Sequence, residues 1–202
     1  MKKEIKSKLN WKGRIDQTIE RERAWFRIGQ LLKSHAQYIK GSVIDVGGGR
    51  AKYKEQILAM AGVKDYTNLD LLKTADIVAD LNTPLRIDDN RYDTAICIGV
   101  LYYLKEPQVA LNEINRILKL NSRLLLYVPW MSPTYSDCTD YFRFSDAGIT
   151  YMLEKAGFQI EKIVSLGGKR LILFTFLRAW VKWTGKIRPF VDKLLAGKKE
   201  VR

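Results

Sequence analysis

The 202-residue chain is poor in the residues that build stapled or metal-centred folds, with one histidine, two cysteines and five prolines. Two cysteines, Cys97 and Cys138, exclude a disulfide framework and a four-cysteine zinc site, and they fit a reducing compartment. Clustered carboxylates that could hold a metal are not evident, so no metal site is expected. Uninterrupted apolar runs fall short of the roughly 20 residues that span a bilayer. No apolar stretch follows the basic start Met1-Lys2-Lys3, which argues against a cleavable secretory signal. Acidic residues are also scarce, 22 against 35 lysines and arginines, for a net charge of +13. What is present is a globular composition: 47% hydrophobic and 11% aromatic residues exclude wholesale disorder and can fill one core.

The positive charge lies in the flanks. Residues 1–42 carry 11 basic and 4 acidic groups, residues 43–165 carry 14 and 16, and residues 166–202 carry 10 and 2. A near-neutral body between basic flanks suggests appended contacts to something anionic, or solvated helix faces, more than a nucleic-acid stripe beside a site.

The patterning predicts alternating strands and helices. A helix over Ile15–Lys40 would bury Ile28, Leu31, Leu32, His35 and Ile39 and stop at Gly41. Ser42–Val46 reads as a first strand ending in three glycines, followed by a helix from about Ala51 to Ala61. Further strands are expected at Asp65–Asp70, Asp76–Leu81, Tyr92–Val100, Arg123–Val128 and Phe158–Leu166. A helix opening at Pro107 would end at Asn121, and Ser145 would cap another running to Gly157. This is an α/β chain whose open, mostly parallel sheet is covered by helices on both faces.

In such sheets ligands bind beyond the carboxyl ends of the strands, where strand order reverses. Asp45-Val46-Gly47-Gly48-Gly49-Arg50-Ala51 stands at the first such end. Lys52 spoils a dinucleotide fingerprint started at Gly47, and no Gly-Lys-Ser/Thr follows for a phosphate loop. An acid two residues before a glycine turn instead suits a ligand with an amino group and no pyrophosphate.

The run Val43–Gly49 resembles the first motif of the class I S-adenosylmethionine-dependent methyltransferases, in their type 11 branch, with Ala51 in place of the usual last glycine. Asn68-Leu69-Asp70, Ile77–Asn82, Tyr92–Leu101 and Ile117–Leu124 resemble the next motifs in order. The resemblance implies a three-layer α-β-α sandwich with a Rossmann-like sheet of about seven strands. It implies S-adenosylmethionine as cofactor and S-adenosylhomocysteine as product. Asp70 would then take the ribose hydroxyls and Asp80 the adenine amino group. Asp45 would meet the methionine amino group or fix the glycine loop, and Gly47, Gly48, Gly49, Leu71, Leu81, Ile98 and Gly99 would complete the pocket. Three segments follow: a basic helical extension (1–42), the cofactor-binding core (43–168) and a hydrophobic, basic tail (169–202).

The acceptor is less marked. Ile98-Gly99-Val100-Leu101 replaces the Asn/Asp-Pro-Pro-aromatic run of nucleobase amino methylation, and Cys97 lies mid-strand as a core residue rather than in a Pro-Cys nucleophile motif. Tyr102-Tyr103 stands where the branch often carries Glu-His, so a catalytic histidine is absent there. His35 fits packing or a helix surface better than base catalysis. Thr139–Ser145 (TDYFRFS) resembles an Asp-Tyr-x-Arg-Phe segment of type 11 enzymes, some of them associated with surface-polysaccharide and lipid-linked glycan genes. Asp140 or Tyr141 would relay a hydroxyl proton and Arg143 would hold an acidic acceptor, unless Asp140 and Arg143 simply pair with one another. The expected substrate is a hydroxyl or similar nucleophile on a small-molecule or glycolipid-like acceptor. The alternatives are an RNA- or ribosome-associated enzyme, or a non-catalytic S-adenosylmethionine-binding protein.

Arg170–Trp183 is rich in Leu, Phe and Trp but interrupted by Arg178 and Lys182. As a helix, with Lys186 and Lys193 beyond, it has the profile of an interfacial segment on anionic lipid. Alternatively Leu171–Phe176 forms a last antiparallel strand. The expected location is cytoplasmic, peripheral at the inner membrane face.

Overall fold

The computed structural model describes residues 26–130 and 139–165. Chain contacts divide it into two units at Glu161/Lys162, and every element named here lies in the first. Helix α1 covers the described residues 26–34 and is followed by a 3-10 turn at Ala36–Tyr38. Then come β1 (Gly41–Val46), α2 (Lys54–Leu58), β2 (Val63–Asp70), β3 (Ile77–Val78) and β4 (Tyr92–Ile98). A 3-10 turn at Leu101–Tyr103, α3 (Pro107–Ile117), β5 (Leu118–Tyr127) and α4 (Asp146–Lys155) complete the series.

The sheet runs β3-β2-β1-β4-β5 and every pairing is parallel. The chain steps outward from β1 through β2 to β3, then returns to the far side of β1 for β4 and β5. Strand order therefore reverses between β1 and β4. One sheet face carries Ile44, Val46, Leu69, Ala95 and Cys97, which cluster with Ala110, Leu111, Ile114 and Ile117 of α3 and Ile149 of α4. Val43, Ile96 and Ile98 point the other way and are also buried, as are Ile28 and Leu32 of α1 and Ile57 of α2. Both faces are thus covered, as a parallel sheet requires. Cys97 is a core residue, fully buried, and burial pushes its thiol pKa up.

Several boundaries differ from the sequence expectation for local reasons. Ala51 takes a left-handed φ of 52°, so α2 begins at Lys54 instead of about Ala51. Asp80 folds into a turn by accepting Asn82 N at 2.9 Å, which cuts β3 to two residues. Helix α3 stops at Ile117 and β5 follows at once. Asn121 does adopt a left-handed φ of 61°, but inside β5, where the pairing jumps from Tyr92↔Leu118 to Thr94↔Arg123. Gly41 is left-handed (φ 67°) and opens β1 rather than ending the long helix; a Cβ there would stand 2.3 Å from Asp93 Oδ2. Ser145 caps α4 as expected, accepting Gly148 N at 3.1 Å.

Residues 158–165 make no ladder among the described residues, where a sixth strand is expected. The possible last strand at Leu171–Phe176, the interfacial segment, the boundary at 168/169, Cys138 and the first 25 residues lie outside the described residues. No helix among the described residues is long and apolar enough to cross a membrane.

Candidate functional site

Three alternate residues of β2 build the site. Side chains two apart on a strand share a face, and Tyr66, Asn68 and Asp70 all reach β1 or the glycine turn after it. The Tyr66 hydroxyl donates to Asp45 Oδ2 at 2.6 Å. Asn68 Nδ2 donates to Gly49 O at 3.0 Å, and Gly49 N donates to Asp70 Oδ2 at 2.8 Å. Asp45 pairs with Asn68 in the β1–β2 register, which sets this alignment.

The glycines are required by space as well as by backbone. Gly47 (φ 72°) lies against Val100, where an added Cβ would come within 2.4 Å of a methyl. Gly48 has no positive φ, yet a Cβ there would stand 2.4 Å from Asn68 Oδ1 and 2.7 Å from Asp45 Oδ2. Gly49 is left-handed (φ 57°) with open space around its side-chain position. The turn therefore lays bare backbone against the carboxyl end of the sheet at its reversal point, where a ligand can approach closely.

Asp45 is buried, 3% exposed, and its carboxyl pKa is pushed up to about 6. Burial is the main cause; the Tyr66 hydrogen bond opposes it and the Asp70 charge adds to it. Asp70 accepts Leu72 N through Oδ1 at 3.0 Å as well as Gly49 N through Oδ2. A carboxylate offers about four acceptor positions, so two remain for a diol. Leu71 beside it is 68% exposed, while Leu81 and Ile98 are buried and Gly99 is left-handed (φ 69°). Asp80 is exposed; its Oδ1 accepts both Asn82 N and Asn82 Nδ2, and Oδ2 takes no hydrogen bond among the described residues.

The acceptor-side loop docks beside the end of β4. Tyr141 N and Phe142 N both donate to Tyr102 O, at 2.8 and 3.3 Å. Arg143 lies over the Tyr102 ring at 5.7 Å and forks onto Asp140, with Nη1 on Oδ1 and Nη2 on Oδ2. The Asp140 side chain is 2% exposed and that of Arg143 29%. Phe142 and Phe144 stack at 5.9 Å, with Phe144 buried beneath. The internal Asp140–Arg143 pair is therefore formed.

The family model for a methyltransferase domain matches residues 44–126, the stretch that holds the glycine turn, β2 to β4 and α3. Over these residues the chain is similar to the type 11 methyltransferase domain. Solved structures agree in fold. A SAM-dependent methyltransferase from Aquifex aeolicus is 18% identical, with a TM-score of 0.54 over 69% of this chain and 84% of that one. One from Archaeoglobus fulgidus is 16% identical, with a TM-score of 0.55 over 79% and 87%. An S-adenosylmethionine-dependent methyltransferase from Mesorhizobium loti is 14% identical, with a TM-score of 0.54 over 78% and 87%. No curated protein matches the sequence.

S-adenosylmethionine is thus the cofactor of the domain, and the residues fit it. A bared glycine turn, a buried acid, a diol-ready carboxylate and one buried acceptor without a partner among the described residues, Asn68 Oδ1, converge at the reversal point. When bound, the cofactor supplies a methyl group activated on a sulfonium.

Tyr66, Asn68, Val100 and Tyr102 are the functional neighbours that sequence reasoning missed. The signal for the first two was the period of two along β2 counted back from Asp70. His35 sits at the end of α1 with Nδ1 3.0 Å from Leu31 O and 2.9 Å from Ser34 Oγ, and it stacks on Tyr38. That placement is packing at a helix end.

Proposed function

We propose that this methyltransferase acts on a hydroxyl or similar nucleophile of a small-molecule or glycan- or lipid-linked acceptor, received on the outer side of the loop at 139–144, which docks on the turn at Leu101–Tyr103. The observation that carries this reading is the docked loop, which offers exposed aromatic faces beside a guanidinium: Tyr141 is 42% exposed and Phe142 38%. Aromatic faces suit sugar rings and other flat apolar surfaces, and a guanidinium suits carboxylate or phosphate.

Transfer to oxygen or nitrogen depends mainly on holding the nucleophile close and aligned, so a strong base is not required. Cofactor placement falls to Asp45, Gly47–Gly49, Asp70, Leu71, Asp80, Leu81, Ile98 and Gly99. With both Asp140 oxygens engaged by Arg143, Asp140 orients the guanidinium toward an anionic group of the acceptor. Tyr141 is the loop's hydroxyl for proton relay. The basic tail places the enzyme at an anionic membrane surface on the cytoplasmic side.

The test is incorporation of labelled methyl from S-adenosylmethionine into cell extracts separated into organic, aqueous small-molecule and RNA fractions. Label in either of the first two, dependent on Arg143, supports the reading. Label confined to RNA contradicts it.

A further inference from the structure

Among the described residues, two buried side-chain polar atoms have no hydrogen-bond partner, Tyr92 Oη and Asn68 Oδ1. Tyr92 opens β4 at the far end of the sheet, within the core under α3. Asn68 is 4% exposed and stands inside the cofactor site.

The orientation of the Asn68 amide is dictated by its neighbour. Nδ2 lies 3.0 Å from Gly49 O, and a carbonyl can only accept, so the amide nitrogen is the atom on Gly49 and the oxygen is the atom toward Gly48. That oxygen comes within 2.4 Å of the position a Gly48 Cβ would take, and Asp45 Oδ2 comes within 2.7 Å of the same point. Two acceptors, one of them a carboxylate, thus converge on the side-chain face of Gly48. Among the described residues, the ionisable groups coupled to Asp45 are Tyr66, Asp70, Tyr53 and Cys97, all acids. Lys54 Nζ lies over the Tyr66 ring at 5.9 Å. A buried acceptor that takes no hydrogen bond among the described residues, standing beside a buried acid, is complementary to a small, multiply donating cation.

We propose that Asn68 Oδ1 and Asp45 Oδ2 together receive the α-ammonium of the methionine end of the cofactor, making Asn68 a cofactor-binding residue specific for the amino-acid moiety. The assignment rests on S-adenosylmethionine as cofactor. Asn68 then acts twice: its nitrogen fixes Gly49, and its oxygen reads the ligand.

Two ligands separate these roles. S-adenosylhomocysteine carries the ammonium; 5′-methylthioadenosine keeps the adenosine and sulfur and lacks the amino-acid end. Calorimetric titration of the full chain should show that Asn68→Ala lowers affinity for S-adenosylhomocysteine about 10- to 100-fold, as for a hydrogen bond to a charged group. Affinity for 5′-methylthioadenosine should stay within about twofold. Unchanged S-adenosylhomocysteine binding overturns the proposal, and so does an equal loss for both ligands, which would make Asn68 only a brace for the turn. Failure of the wild-type chain to bind either ligand would instead refute the cofactor assignment itself, and this proposal with it. If Asn68→Ala does not fold, Asn68→Ser, which keeps a hydroxyl for Gly49 O, is read by the same two titrations.

Discussion

Tyr66 holds Asp45 through a 2.6 Å hydrogen bond between two buried side chains, at the point where the first strand turns into the glycine loop. The bond lowers the cost of an ionised Asp45, but burial outweighs it and leaves the carboxyl near 6, against an ordinary 3.8. Between about pH 4 and 6 the folded chain therefore holds a proton that the unfolded chain has released. This contribution to stability is fully present below about pH 4 and is lost as pH rises through 6, by about 3 kcal/mol from the gap of roughly two units. Asp45→Asn should melt well above wild type at pH 8 and close to it at pH 4, while binding S-adenosylhomocysteine more weakly. Equal melting differences at both pH values would contradict this. Tyr66→Phe should move the window upward.

Asp70 keeps room for two further hydrogen bonds after those to Gly49 and Leu72. Asp70→Asn exchanges a carboxylate oxygen for a donor and should weaken S-adenosylhomocysteine binding about 10- to 100-fold, the size of one or more charge-assisted bonds. The melting temperature should move by only a few degrees. Calorimetry and a thermal melt on the same sample check both statements.

Ala51 sits in a left-handed conformation where the related motif carries glycine. A left-handed non-glycine residue costs about 1–2 kcal/mol, partly offset because glycine frees the unfolded chain. Ala51→Gly should stabilise the protein by about 0.5–1 kcal/mol, a rise of a few degrees in melting temperature. A lower melting temperature would show that the alanine methyl is packed rather than strained.

Arg143 ties Asp140 to the Tyr102 turn by geometry that lysine does not share. Arg143→Lys should leave S-adenosylhomocysteine affinity within about twofold and lower methyl incorporation into the acceptor fraction at least tenfold. Loss of both would place Arg143 in support of the cofactor site.

The tail beyond residue 176 carries most of the C-terminal positive charge. Removing residues 177–202 should abolish co-sedimentation with anionic liposomes at low salt, and high salt should weaken it for the full chain. Equal pelleting of both forms would refute membrane contact.

How much of this was legible in the sequence depends on the range of the interaction. Strand β4 announced itself because a central parallel strand is apolar on both faces, β1 by its β-branched run ending in three glycines, and Asp70 and Asp80 through the resemblance to the methyltransferase motifs. The shortened α2 was not visible, because only the fold shows that Ala51 is held left-handed. The break in β3 could be read in Asp80-Leu81-Asn82 as turn chemistry, yet the apolar Ile77-Val78 pulled the expectation toward a longer strand. Asn68 escaped notice because its importance lies in partners 19 and 20 residues away, Gly49 and Gly48, brought to it by strand pairing. Asp140 and Arg143 were recognised as a pair or a site, and the structure shows the pair, with the site's role resting on the acceptor.

The most direct measurement is a titration of the full chain with S-adenosylhomocysteine, repeated on Gly48→Ala. The added methyl would intrude between Asn68 Oδ1 and Asp45 Oδ2 without any demand on φ. The wild type should give saturable heat and a thermal upshift, and Gly48→Ala should bind at least tenfold more weakly. No heat and no shift for the wild type at millimolar ligand would contradict the cofactor assignment.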